Sequence, residues 1–196
     1  MEPWDDIEPA PARKLLVAAI EAFAVRGYHG TSTRDIAGAA GMSPAGMYVH
    51  YRTKEELLFR ISRVGHERCR DMVRAAATRG GADPAGQLRA IIGDFAAWHA
   101  QHHTTARVIQ YEHEQLSTDH QAIIVVLRRE MESVVRGVLA SGTARGEFDV
   151  PEIAGTALAM LSSGIDVARW YRDDHSRTPD DIGKLYGELA VRTVRA

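Results

Sequence analysis

Apolar residues recur at three- and four-residue spacing along almost the whole chain, the period of helices that bury one face. Leu16, Ala19, Ile20, Phe23 and Ala24 fall on one such face, and Gly27 follows as a left-handed stop. In "STRDIAGAAG", Ser32 precedes Asp35 by three residues, a reciprocal capping pattern, and Gly41 ends the segment. Ser43 followed by Pro44 opens a short helix. Thr53 with Glu56 opens a long one that runs to Gly80 and Gly81. A fresh start lies at Asp83 and Pro84, and two further helices are predicted over 104–116 and 118–140. The Gly-rich "SGTARGEFDVP" is a connection, after which Pro151 opens a helix to about residue 172. Thr178, Pro179 and two acids then begin the last helix, with negative charge at its positive end. No alternating strand, internal repeat or low-complexity tract interrupts the pattern. The prediction is an all-α fold of about nine helices.

Composition narrows the class. An apolar content of 45% is enough for a sizeable core, and the net charge of -2 excludes a uniformly basic coat. The single Cys69 forms no internal disulfide and excludes a cysteine zinc site. No apolar run approaches the roughly 18 residues of a membrane span, and the acidic, Pro-containing start is unlike a signal peptide. A soluble cytoplasmic protein with a loose arm over 1–11 is expected, with no membrane partner and no cofactor.

The stretch from Thr31 to Leu58 holds three helical pieces joined by very short turns. Ala39-Ala40-Gly41-Met42-Ser43 has the Gly-containing turn of a helix-turn-helix, and Ile36, Ala37, Ala40, Met42, Met47 and Tyr51 can close a core with Ile20 and Phe23. Pro44, Ala45, Gly46, Tyr48, Val49 and His50 are left facing outward, with little bulk at the start of the helix, which suits end-on entry into a major groove. Tyr48 and His50 can donate to phosphates or base edges, while Thr33, Arg34, Arg52 and Lys54 flank the helix as backbone grips. Locally the charge is positive: residues 11–60 hold seven Lys or Arg against four acids. Helix-turn-helix geometry also occurs in enzymes and structural proteins, so pattern alone leaves those classes open.

Thr31 and Thr33, "DIAGAAGMS", "MYVHY" and "TKEELL" together resemble the DNA-binding head of TetR-type transcriptional regulators, without a gap over about residues 12–58. The resemblance implies a DNA-binding domain over 12–56, with Thr33, Arg34, Ser43, Pro44, Ala45, Gly46, Tyr48, His50 and Lys54 as its contact set. It also implies a ligand-binding and dimerisation domain over 57–196, and a homodimeric repressor on an inverted-repeat operator. Pro44-Ala45-Gly46 departs from a polar recognition surface, so base readout is expected to lean on backbone contacts, Tyr48, His50 and DNA shape.

Beyond the head, "ARVIQYEHEQL", "VVLRREMESVVRGVLASGTARGEF" and "DVARWYRDDHSRTPDDIGKLYGELAVR" are similar to regulators of fatty-acid and steroid catabolism, several of which answer to acyl-CoA thioesters. That similarity implies an apolar cavity, for which Phe95, Trp98, Val108, Tyr111, Val134, Val135, Leu161 and Trp170 are candidates. Arg107, Arg128 or Arg169 would meet phosphate or carbonyl oxygens. Each apolar residue has an ordinary core role as its alternative. Gly155, Ala159, Ser162 and Ser163 would let a partner helix approach in a two-fold interface, or else pack within one subunit. Two other functions compete: an efflux regulator that sets Glu112 and Glu114 against a cationic drug, and a metal-binding protein or enzyme built on His99, His102 and His103. Neither a phosphate-binding Gly-rich loop nor a nucleophile elbow is present, and no metal site is expected.

Overall fold

The computed structural model describes residues 4–195. Among them are nine α-helices: α1 (Ala10–Arg26), α2 (Thr33–Ala39), α3 (Pro44–His50), α4 (Lys54–Arg79), α5 (Pro84–Gln101), α6 (His103–Tyr111), α7 (Thr118–Ala144), α8 (Ile153–Trp170) and α9 (Pro179–Val194). The chain folds as two compact units. One takes the chain up to Arg68 together with Thr104–Val125, and the other takes Cys69–His103 and everything from Val126 onward. α6, the turn after it and the start of α7 belong with the N-terminal helices.

In the first unit α1 packs on α2 and α3 around Leu15, Leu16, Ile36, Ala37 and Met47, all buried. The capping signals act as the sequence predicts. Ser32 and Asp35 cap α2 reciprocally, and Ser43 Oγ accepts from Gly46 N at 3.1 Å to start α3. Between the two helices Gly41 has φ +71°, the left-handed conformation that a side chain would strain, and Met42 N donates back to Ala37 O at 2.8 Å. That one glycine lets the turn be short enough to hold α3 against α2. Ala40 and Met42, expected in the core, are only half buried.

The loose arm does not extend over the described part of 1–11; its first three residues lie outside that part. Trp4 and Ile7 are buried, Asp5 O accepts from Arg13 at 2.6 Å, and Asp6 pairs with Arg68. Two apolar side chains outweigh the acidic, Pro-containing character that suggested an arm.

In the second unit α5 packs chiefly on α9 and then on α8. The crossing with α9 depends on glycine: a Cβ on Gly183 would stand 2.8 Å from Gly93 O, and one on Gly187 would stand 2.6 Å from Arg89 O. Gly164 of α8 lies under the Phe95 ring in the same way. Close approach within the subunit thus falls to these glycines, whereas Ala159, Ser162 and Ser163 of α8 are exposed. Gly155 serves the cap of its own helix, because Glu152, not Pro151, is the N-cap and accepts from Ala154 N and Gly155 N. The predicted helix over 104–116 breaks at Glu112 and continues as a single 3-10 turn, His113–Gln115. No helix among the described residues is long and apolar enough to cross a membrane.

Candidate nucleic-acid interface

The first unit presents α3 on its surface. Met47 turns inward and is fully buried, while Tyr48 is 49% exposed and Val49 is 80% exposed. Pro44 and Ala45 are exposed, and Gly46 and His50 are half buried. Thr33, at the first position of α2, reaches across to Tyr48, and their hydroxyls share a hydrogen bond of 3.2 Å. This pair ties the start of one helix to the outward face of the next, so both hydroxyls are held on one surface. Arg34 stands exposed beside Thr33 on α2. Thr33, Arg34, Ser43, Pro44, Ala45, Tyr48 and His50 thus come from two short helices joined by a tight turn, a layout that can enter a groove with flanking grips on phosphate.

Lys54 corrects the expectation of a free phosphate grip. Its ammonium donates to Tyr28 O at 2.6 Å and Thr31 O at 2.8 Å, and it lies 4.0 Å from the centre of the Tyr28 ring. Partial burial among these groups pulls its pKa below the ordinary lysine value, against the attraction of Glu112. Two of its three N–H groups are therefore committed inside the protein. Lys54 closes the turn between α1 and α2 rather than standing out from it.

Other contacts around this turn have no local signature. Thr31 is buried and its hydroxyl donates to Gly27 O at 2.8 Å, satisfying the end of α1. Glu112, 84 residues away, accepts from Tyr28 N at 3.0 Å. Glu55, at the start of α4, accepts from Ser117 N at 2.9 Å and faces His120 Nδ1 at 2.7 Å. The His120 ring stacks on Phe59 with centroids 3.6 Å apart. The end of α6 and the beginning of α7 are thereby fastened to the turn after α1 and to the start of α4. With its carboxylate engaged at Tyr28, Glu112 is not set aside as a counter-charge for a cationic drug.

The effector candidates separate. Phe95, Val135 and Leu161 are buried in one apolar cluster of the second unit, with Trp98 and Val134 packed at its edge. Arg128 is half buried on α7, and burial lowers its pKa. It lies seven residues before Val135 and so on the same helix face. Arg169, by contrast, is exposed on α8 and holds Asp166 at 2.6 and 3.0 Å. Trp170 packs in a separate cluster beside Tyr171 and near His175, 5.4 Å between ring centres. Arg107, Val108 and Tyr111 belong to the first unit: Arg107 is 3.5 Å from Thr104 Oγ1, Val108 is buried, and Tyr111 is 60% exposed. Within the second unit, then, Phe95, Val135 and Leu161 share one cluster, Trp170 packs in another, and Arg169 is exposed.

The histidines are spent locally. His99 Nδ1 lies 2.8 Å from Phe95 O and His103 Nδ1 lies 3.0 Å from Ala100 O, each bonding its own stretch of chain. His102 packs on the Trp98 ring at 5.0 Å between centres. Burial holds the His99 pKa down to about 4. Among the described residues no group of three or more His, Cys, Asp or Glu side chains is placed to hold a metal ion.

Where α5 covers one side of α8 and α9, large apolar side chains remain outside on the others: Leu158 is 59%, Leu185 36% and Leu189 48% exposed.

Comparison with known proteins bears on both units. Residues 15–61 match the model described as bacterial regulatory proteins, tetR family, and residues 81–194 match the tetracyclin repressor-like C-terminal domain. The HTH-type transcriptional repressor KstR2 of Rhodococcus jostii (strain RHA1) is 31% identical over 96% of this chain and 94% of its own length. A crystal structure of a bacterial regulatory protein from Rhodococcus RHA1 has a TM-score of 0.90 and 38% identity over 96% of this chain and 98% of that one. AibR, solved with isovaleryl coenzyme A and operator DNA, has the same fold at a TM-score of 0.81 and 24% identity, over 91% of this chain and 97% of that one.

Proposed function

This chain belongs to the TetR family of bacterial regulatory proteins, and from that premise we propose that it is a cytoplasmic, homodimeric repressor released from an inverted-repeat operator by a coenzyme A thioester. As a member of that family it is a DNA-binding transcriptional regulator, and no catalytic step is assigned to it. The observation that carries the DNA-binding part is the capped, exposed α3 with Thr33 and Arg34 beside it. Tyr48 and His50 face base edges or phosphates, Thr33 and Arg34 fix the register on the backbone, and Ser43, Pro44, Ala45 and Gly46 form the narrow leading end of the helix. Lys54 serves this surface by holding the turn behind it.

The dimer is supported by Leu158, Leu185 and Leu189, whose exposure on α8 and α9 suits a second copy of the same surface. Two copies would set two α3 helices on half-sites one helical turn, about 34–36 Å, or a multiple of it apart.

The effector class is supported by chemistry and by likeness. A coenzyme A thioester joins an apolar acyl chain to an anionic head. The second unit carries a broad apolar cluster around Phe95, Trp98 and Val135, with Arg128 seven residues before Val135 on α7. AibR, of the same fold, binds isovaleryl coenzyme A. The test uses the full chain on a duplex enriched by this protein from a random pool. Micromolar acyl-CoAs of varied length should release the duplex, with free fatty acid or coenzyme A alone acting more weakly. Should every acyl-CoA leave the complex intact while a cationic dye or a divalent metal dissolves it, the effector assignment fails.

A further inference from the structure

The outward face of α3 has an unusual chemistry for a helix that reads sequence. Its seven residues, Pro44–His50, include no Arg, Lys, Asn or Gln, the side chains that make two-point hydrogen bonds to guanine or adenine. Among the hydroxyls nearby, Ser43 Oγ already accepts from Gly46 N, and the Thr33 and Tyr48 hydroxyls already share a bond. His50 is half buried at the last position of the helix. What the helix offers without reserve is apolar: Val49 is 80% exposed, and Pro44 and Ala45 are exposed toward the leading end.

The major groove has one apolar landmark, the C5-methyl of thymine. We infer that Val49 reads a thymine methyl in each half-site, so that the operator is recognised at that position by methyl contact instead of by hydrogen bonding. The inference rests on the operator-binding role of α3 and adds to it the base that α3 selects. It follows that a thymine is fixed within the footprint of α3, and that a cytosine bearing a C5-methyl partly substitutes for it.

The experiment begins with the full-length protein and a duplex it enriches from a random pool. Failure to enrich any duplex would count against operator binding itself and is thereby distinct from failure of the methyl contact. Each thymine in the enriched site is then replaced singly by deoxyuridine, which removes only the C5-methyl, and dissociation constants are measured at one fixed salt concentration. At one position per half-site the wild-type protein should lose affinity about fourfold, the worth of one methyl-sized group taken from water. Val49→Ala should bind the thymine duplex more weakly and be indifferent to deoxyuridine at that same position. Replacing that thymine by cytosine should weaken wild-type binding, and 5-methylcytosine should recover part of the loss. Because Val49 is so exposed, Val49→Ala is expected to keep the wild-type circular dichroism spectrum and melting temperature. The inference is overturned if no thymine methyl matters to the wild type. It is equally overturned if Val49→Ala stays as sensitive to deoxyuridine as the wild type, which would assign the methyl to another residue.

Discussion

Lowering the pH from 7.5 to 5 should cost this protein about 2 kcal/mol through one side chain, His99. The ring is buried between Phe95 and Trp98, with centroid distances of 4.4 and 5.1 Å, and its Nδ1 bonds Phe95 O at 2.8 Å. Burial is the main cause that holds its pKa at about 4 against 6.5 for an ordinary imidazole; the Phe95 carbonyl acts in the other direction, and nearby His102 lowers it further. The folded ring therefore stays neutral where the unfolded chain takes up a proton. Below pH 6.5 the unfolded state binds more protons, so stability falls as the pH falls, and the loss is complete near pH 4. At about 1.4 kcal/mol for each tenfold, the full loss is about 3 kcal/mol, of which about 2 kcal/mol is felt by pH 5. Carboxylates titrate in the same range, so the measurable quantity is the difference between wild type and His99→Phe, a ring of similar shape with no proton to gain. Urea unfolding followed by circular dichroism between pH 7.5 and 5, at one protein concentration, gives both curves. The variant should be the less stable protein at pH 7.5, having lost the bond to Phe95 O, yet fall less steeply with acid. Parallel pH profiles for the two proteins would refute the assignment of a neutral, buried His99.

Three further outcomes follow from the geometry. Lys54→Met should lower stability by about 1–2 kcal/mol, as two carbonyls lose a charged donor, and should leave the salt dependence of operator binding unchanged, whereas Arg34→Ala should reduce the logarithmic salt slope by about one; a slope change of one for Lys54→Met would restore that side chain to the phosphate contacts. Glu112→Ala should free the Tyr28 amide, seen as faster hydrogen exchange at that residue, and weaken operator binding by loosening the turn between α1 and α2; unchanged exchange at Tyr28 would show the contact to be idle. Leu189→Arg should yield monomers in sedimentation velocity and a loss of most operator affinity, and an unchanged dimer would remove that face of α9 from the interface.

How far the sequence reached can be traced residue by residue. It determined whatever is decided within a few residues. Ser32 with Asp35, Ser43 with Pro44, and Thr178 with Asp181 start their helices where the capping chemistry says they must, since each cap satisfies backbone N–H groups three residues away. The helical period fixed the all-α class, and Gly41 fixed the turn that sets α3 against α2. Two short-range readings failed where a neighbour distant in the chain intervened. Trp4 and Ile7 are drawn from an arm into the core, and Lys54, exposed by its place at a helix start, is captured by the carbonyls of Tyr28 and Thr31. Tertiary structure alone decided that Glu112 meets Tyr28, that His120 meets Glu55 and Phe59, and that Arg169 faces outward with Asp166. Those outcomes depend on which faces of α6, α7 and α8 turn inward. A helical period shows that such a face exists, but its partner is chosen by packing among all the helices at once, and that sum has no local trace in the sequence.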